Sequence, residues 1–501
     1  MSQGISAKKP AVFLDRDGTI IEDVGILDDE RHMVLISDSV DALRELAKTY
    51  LLFVITNQGG VAQGKLTLGQ VDNINRALHK RLSDEGIHVS KWYVCPHMRE
   101  DNCSCIKPSS HFLLEAENEF GIDLSRSFTI GDHPHDTAMG KEHGVFGLYL
   151  LTGHGAKHLA DVENETLIFH SLKDAAGWIK NHPEAAISLE KEISDGVDAI
   201  RRGGLTVFPT ETVYGLGADA MQENAVRKIF AAKNRPSQDP LISHVASREQ
   251  AQLLVQELPK KAEKLMDAFW PGPLTLVLKK ASSVPNIVTA GNPTVAVRMP
   301  NHPIALELIR RCRTPVAAPS ANTFGKTSPT TAQHVIDQLS GKFEAIIDGG
   351  ACRVGVESTV LSLVEDPPLL LRPGGITIED IEKVIGPIAV QLPQGNVIFD
   401  SPGMFPSHYA PKTPMIVVDE PGLYAHETNV AVMLFRPAKT AYSGDVFILS
   451  EEGDARGAAA KLYQTMRKID QKNYRLIIAE KLPHEGMGIA VNDRMSRASK
   501  K

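Results

Sequence analysis

The chain has 501 residues, with 54 Lys and Arg against 61 Asp and Glu (formal charge −7), 42% hydrophobic and 23% charged residues. That length exceeds one hydrophobic core and suggests about three domains, while the ordinary globular composition excludes collagen, coiled coil and a disordered chain. The acidic balance argues against broad non-specific nucleic-acid binding, and no apolar run approaches the roughly 18 residues of a bilayer span.

The opening stretch, MSQGISAKKPAVFLDRDG, meets an acidic residue after four apolar ones and does not read as a signal peptide. From Ala11 to Thr152, the β-rich runs AVFL, LLFVIT, VSKWYVC, RSFTIGD and FGLYLLT alternate with the helical stretches VDALRELAK, VDNINRALHKRLSDEG, HFLLEAENEFG and DTAMGKEHG. Such alternation predicts a parallel sheet with helices on both faces and ligands at the C-terminal strand ends. FLDRDGTI puts Asp15 and Asp17 directly after a strand: Asp15 is placed to attack phosphorus and Asp17 to protonate the leaving oxygen. Lys107, and a divalent cation held by Asp15 and by Asp132 of IGDHPHD, would neutralise the phosphoryl charge; Thr56 of VITNQGG offers a hydroxyl.

Among five cysteines, Cys95, Cys103 and Cys105 cluster around His97, which points to metal and not to a secreted disulfide framework. Three thiolates and one imidazole suit a tetrahedral, closed, structural Zn2+ site. This usage fits a soluble, cytoplasmic protein.

These signatures resemble the haloacid-dehalogenase phosphatases, in particular the small heptose-bisphosphate and histidinol-phosphate phosphatases, over about residues 1–155. The resemblance implies Asp15 as nucleophile, Asp17 as general acid/base, Thr56 and Lys107 as phosphate ligands, and Mg2+ on Asp15, the Asp17 carbonyl and Asp132. Two departures stand out. Ile106 occupies the place where that family usually has an arginine before the lysine, and His-Pro-His follows Asp132.

Residues 156–193 read as a polar helical connector without a strand. Residues 194–388 form a second α/β region with the β-like runs LTVFPT, LISHVA, LTLVLKK, TVAVRMP, VAAPSA, AIIDGG, STVLSLV and LLLRPGG, and sparse helices predict a mixed sheet. Its strand ends carry cations and small hydroxyls, as a polyphosphate clamp requires. Residues 389–414, rich in Pro and Gly, form a linker containing Met404, Phe405, His408 and Tyr409. Residues 415–501 predict a third, small Rossmann-like α/β unit. Trp270, Cys312 and Cys352 read as core residues, and the basic stretch NDRMSRASKK as solvated terminal charge.

The stretch from 194 to 501 resembles the long-form threonylcarbamoyl-AMP synthase (YrdC-like) family through PTETVYGLG, Lys233-Asn-Arg235, Ser320-Ala-Asn322 and His408-Tyr409-Ala-Pro-Lys. The resemblance implies condensation of L-threonine, bicarbonate and ATP to threonylcarbamoyl-adenylate, for modification of tRNA adenosine 37. It places Thr212, His244, Arg298, Ala318 and Ser358 on threonine. It places Arg235, Asp239, Thr294, Ser320, Asn322, Ser328, Arg372 and Tyr409 on ATP, with Lys233 and Arg235 catalytic and the linker as a lid. Asp239 stands where that family usually has Asn. The expected fusion thus joins a Mg2+-dependent phosphatase to a synthase, with tRNA and a downstream threonylcarbamoyl transferase as partners and no membrane. Two alternatives remain: an RNA-binding module attached to a phosphatase, or a synthase carrying a non-catalytic phosphatase-like domain.

Overall fold

The computed structural model describes residues 8–163, 166–390 and 408–500, and the chain separates into two compact units, Met1–Leu189 and Glu190–Lys501. In the first unit, β1 (Ala11–Leu14), β2 (Leu51–Asn57), β3 (Val89–Cys95), β4 (Phe128–Gly131), β5 (Phe146–Leu150) and β6 (Leu167–Phe169) form one parallel sheet in the order β3-β2-β1-β4-β5-β6. Every residue of β1 and β4 is buried, as the central strands of a sheet covered on both faces must be. Phe13 and Phe53 stack at 5.2 Å across β1 and β2, and each such buried ring contributes about 1.5–3 kcal/mol. The helix Leu68–Asp84 starts at a capping box, in which Thr67 and Gln70 satisfy each other's backbone amides.

β6 lies in the segment expected to be a strandless connector. Its three residues, LIF, are too short to show alternation, yet they pair with β5 and are buried on the sheet edge. The strand order reverses between β1 and β4, so the crevice of the sheet opens above their C-terminal ends. Asp15 and Asp132 directly follow those two strands.

The second unit contains a mixed ten-stranded sheet: β7 (Thr206–Phe208), β8 (Gly215–Asp219), β9 (Ile242–His244), β10 (Leu274–Lys279), β11 (Thr294–Arg298), β12 (Val316–Ala317), β13 (Ala345–Ile346), β14 (Thr359–Ser362), β15 (Leu369–Arg372) and β16 (Ala389–Val390). Their order is β13-β7-β8-β12-β9-β11-β10-β14-β15-β16, and β14 pairs directly with β15, as expected. β8 runs through the glycines of PTETVYGLG. Gly217 lies under Phe208, where a Cβ would come within 2.7 Å of the ring, so glycine here permits close strand packing. Register then assembles the site. Arg298 pairs with His244 across parallel β11 and β9, and Val316 pairs with His244 across antiparallel β12.

A four-stranded parallel sheet, β17 (Met415–Val418), β18 (Val430–Leu434), β19 (Asp445–Ile448) and β20 (Leu476–Glu480), completes the second unit in the order β17-β20-β18-β19. Two helices, Ala455–Asp470 and Met487–Ala498, pack against each other beside it. The second of these overturns the expectation of a solvated basic end: Arg494 is fully buried and Arg497 nearly so. Of the expected linker, residues 391–407 lie outside the described residues, Met404 and Phe405 among them. No helix among the described residues is long and apolar enough to cross a membrane.

Candidate active sites

In the first unit, Asp15, Asp17, Thr56, Lys107 and Asp132 all line one cavity of about 300 Å3 at the β1/β4 crevice. Lys107 is buried, donates to the Ile55 carbonyl at 3.1 Å, and pairs with both Asp15 and Asp136, the latter at 2.6 Å. Burial alone would lower its pKa, but Asp136 and Asp15 outweigh burial and hold the ammonium charged. Asp136, four residues after Asp132 in IGDHPHD, was missed; the Asp-x3-Asp spacing at a helix start was the available signal.

Asp15, Asp132 and Asp136 place ligand oxygens within 4.8 Å of one another. Burial first, then Lys107 in opposition and the neighbouring carboxylates in support, leaves Asp15 raised to about 7. Burial, then Asp15 and Asp136, raises Asp132 to about 9. Crowded buried carboxylates of this kind are the hard-oxygen donor set of a divalent cation, and the site fits Mg2+, with Asp136 added to the expected ligands. Gly18 and Gly153, both with positive φ, are required here, since a Cβ on either would fall 2.2 Å from Asp132 Oδ2.

Asp17 is held by the buried Arg16 through bonds of 2.9–3.2 Å and by Gln58 Nε2 at 2.9 Å. Neither partner was foreseen. The loop between His97 and Cys103 also brings Arg99 to the cavity wall, a cation that the Ile106 position does not supply.

The donor atoms of Cys95, His97, Cys103 and Cys105 also lie within 4.8 Å of one another, the three sulfurs being 3.2–3.6 Å apart. A tetrahedral Zn2+ with ~2.3 Å bonds needs donors nearly that close, so the four residues fit a closed metal site two residues before Lys107.

In the second unit, Thr212, Arg235, His244, Arg298, Ala318, Ser320, Ser358, Arg372 and Tyr409 converge on one cavity. Arg298 and His244 arrive from neighbouring strand ends, Arg372 ends β15, and Ser358 precedes β14. Arg372 donates to the Ser358 carbonyl at 3.0–3.1 Å and to its hydroxyl at 3.1 Å. Burial first, then Arg298, lowers His244 to about 3, so its imidazole is neutral. Its Nδ1 and that of His408, which also lines the cavity, have no hydrogen-bond partner among the described residues.

Five expected ligands take other positions. Thr294 stands at the far end of β11 from Arg298, about 13 Å away at ~3.3 Å per residue, and does not line the cavity. Asp239 is fully buried behind Arg235, 2.8 Å from its guanidinium; it is a counter-charge to that arginine and does not line the cavity. Ser328 donates to Glu357 at 2.6 Å and also lies behind the wall. Lys233 is buried, donates to the carbonyls of Ser320 and Asn322, and has its pKa driven well down by burial and then Arg235. Asn322 bonds the carbonyls of Thr323 and Lys326. The lysine and asparagine therefore brace the Ser320 loop and do not line the cavity.

Two carboxylates were not foreseen. Glu211 pairs with Arg298 at 2.7 Å, and Glu357 lines the cavity itself. Trp270, Cys312 and Cys352 are buried as expected; Trp270 donates to the Leu274 carbonyl at 2.8 Å.

A family model described as telomere recombination, covering Sua5, YciO and YrdC proteins, matches residues 198–374. A threonylcarbamoyl-AMP synthase C-terminal domain model matches 376–500, and a HAD-hydrolase-like model matches 104–175. The threonylcarbamoyl-AMP synthase of Pyrococcus abyssi is 47% identical over 313 residues, covering 60% of this chain and 92% of its own. That of Bacillus subtilis is 43% identical over 335 residues, covering 64% of this chain and 97% of its own. A crystal structure of P. abyssi Sua5 complexed with L-threonine superposes with a TM-score of 0.57 at 45% identity, covering 62% of this chain and 94% of that one.

Proposed function

The chain belongs to the threonylcarbamoyl-AMP synthase family, and from that premise we propose how its two cavities divide the chemistry. The cavity of residues 190–501 is a threonylcarbamoyl-AMP synthase site that condenses L-threonine, bicarbonate and ATP, releasing pyrophosphate. The observation that carries this reading is the convergence of Arg235, Arg298, Arg372, neutral His244, Ser320 and Ser358 on one cavity. With Arg298 on its carboxylate and Thr212, His244, Ala318 and Ser358 around it, threonine joins bicarbonate through its amine with loss of water, and the resulting carbamate presents an oxygen to the α-phosphorus. The new O–P bond forms as the bond to pyrophosphate breaks, and Arg235, Arg372 and Ser320 offset the charge on the phosphate oxygens. No protein nucleophile is needed; positioning and charge suffice. Tyr409 packs against the same wall, on the ATP side. The adenylate then serves tRNA adenosine 37 through a downstream transferase, in the cytoplasm. Threonine-dependent release of pyrophosphate from ATP tests the reading. A protein that binds RNA or nucleotide but releases none would be a binding module.

The cavity of residues 1–189 is a HAD-like phosphatase site. Asp15 attacks the phosphorus of a small phosphoester, such as a sugar bisphosphate, to give an aspartyl-phosphate, and Asp17 protonates the leaving oxygen. Water then cleaves the acyl phosphate. Thr56 and Lys107 hold the phosphoryl oxygens. Asp15, the Asp17 carbonyl and Asp132, with Asp136 beside them, would hold a Mg2+ ion, which would supply positive charge to the phosphoryl oxygens. Cys95, His97, Cys103 and Cys105 would hold a structural Zn2+, which would tie down the segment that carries Lys107. Phosphate release from a panel of sugar bisphosphates, histidinol phosphate and nucleotides tests this, with Asp15→Asn as the control; equal rates would leave the domain a scaffold.

A further inference from the structure

Glu357 is an awkward neighbour for a polyphosphate. It lines the cavity beside Ser358 and Arg372, where a lone carboxylate would repel the incoming anion and draw Arg372 to itself. The structure answers this charge from a distant part of the chain. Arg494, on the helix Met487–Ala498, is fully buried and donates through Nε to Glu357 Oε2 at 2.6 Å. Its Nη2 donates to the carbonyl of Pro373, next to Arg372, at 3.0 Å. Its guanidinium lies 5.1 Å from the centre of the Tyr409 ring. Tyr463, on the helix Ala455–Asp470, donates to the same carboxylate at 3.0–3.2 Å, and Ser328 donates to it at 2.6 Å. Burial alone would raise Glu357, but Arg494 first and Arg372 next bring it down to about 2, so the carboxylate is ionised and its charge is met chiefly from the small C-terminal sheet domain.

We propose that Arg494 is a positioning residue of the synthase site: it holds the Glu357 charge and the Tyr409 ring in place, and so keeps the wall that the ATP phosphates meet from presenting an unanswered carboxylate. The small C-terminal domain is then part of the nucleotide site, contributing charge from behind the wall without touching substrate. The inference rests on the synthase reading, so threonine-dependent pyrophosphate release by the wild-type full chain is measured first. If wild type releases none, the synthase reading fails and the role of Arg494 falls with it; the variants below separate that failure from failure of the Arg494 inference alone.

With activity established, Arg494→Met raises the KM for ATP about ten-fold or more, the scale of one lost charged hydrogen bond, while the KM for threonine moves less than about two-fold. Arg494→Lys recovers part of the loss. Removing both charges, in Arg494→Met with Glu357→Gln, brings the KM for ATP back toward wild type. The double variant also serves if the single one fails to fold, because it buries no unpaired charge. Equal effects on both KM values, or a lower melting temperature with neither KM changed, would make Arg494 a stability residue only and overturn the proposal. A double variant as weak for ATP as Arg494→Met would also overturn it.

Discussion

Around the cavity of the first unit, Asp15, Asp132 and Asp136 crowd one another with Lys107 between two of them. Around that of the second, Glu211, Asp239 and Glu357 each abut an arginine: Arg298, Arg235 and Arg494. The first arrangement leaves uncompensated negative charge in a buried place and gains by receiving a cation. The second seats its guanidinium groups on carboxylates while Arg372 rests on backbone and hydroxyl oxygens, so a further anion finds positive charge already held in place. On the proposed reading, phosphate chemistry is served twice in one chain, by a recruited metal in one half and by fixed protein cations in the other.

The largest expected consequence of that contrast is a clean separation by single substitutions. Asp15→Asn removes the nucleophile and should reduce phosphoester hydrolysis to background, and Asp17→Asn should cost about 10²–10⁴-fold, the usual contribution of a general acid. Threonine-dependent pyrophosphate release should stay at its wild-type rate in both variants. A parallel fall of the two activities would mean that the halves are not independent.

Next in size is the response to metal. Mg2+ at about a hundred times its dissociation constant should stabilise the first unit by roughly 2.7 kcal/mol. This is an upward shift of about 5–10 °C in its calorimetric transition, absent in Asp132→Asn. A shift confined to the transition of the second unit would reverse the assignment.

Arg298→Ala should raise the threonine requirement by a factor corresponding to about 1.5–3 kcal/mol and the ATP requirement far less. Glu211 is then left buried without its partner, so the melting temperature should fall as well. Steady-state kinetics with each substrate varied in turn decides the matter, and equal effects on both would assign the residue elsewhere.

The smallest effect is on pH. His244 titrates near 6.5 in the unfolded chain and at about 3 when folded. As pH falls below 6.5 the unfolded chain takes up a proton that the native site refuses, so stability drops, by about 2 kcal/mol at pH 5. Thermal unfolding at pH 7 and pH 5 should show a smaller pH-dependent loss for His244→Asn than for wild type.

Much of this was legible before any coordinates. The apolar runs and their alternation with helices mark nearly every long strand, and motifs that follow strands mark most of both cavities, because a sheet presents its strand ends together. What escaped has physical reasons. β6 and β8 are too short or too glycine-rich to show a period, and their place is decided by neighbours such as Phe208. Thr294 and Arg298 share one strand, but nothing in their spacing tells which end faces the ligand. Asp239, Glu211 and Glu357 matter as partners of arginines far away in sequence or one turn along, and pairing between distant charges leaves no local pattern. Arg494 and Arg497 look like surface charge because most basic tails are solvated; the packing of their helix on Ala455–Asp470 and, for Arg494, contacts with Glu357, Pro373 and Tyr409 bury them.

That burial also bears on how the chain is made. A ribosome emits residues in order, so every group facing the first cavity, from Asp15 to His154, is out early, whereas the carboxylate at position 357 waits for a guanidinium 137 residues downstream. A nascent or truncated product that stops short of this helix would carry a nearly whole nucleotide pocket with its charge wrong.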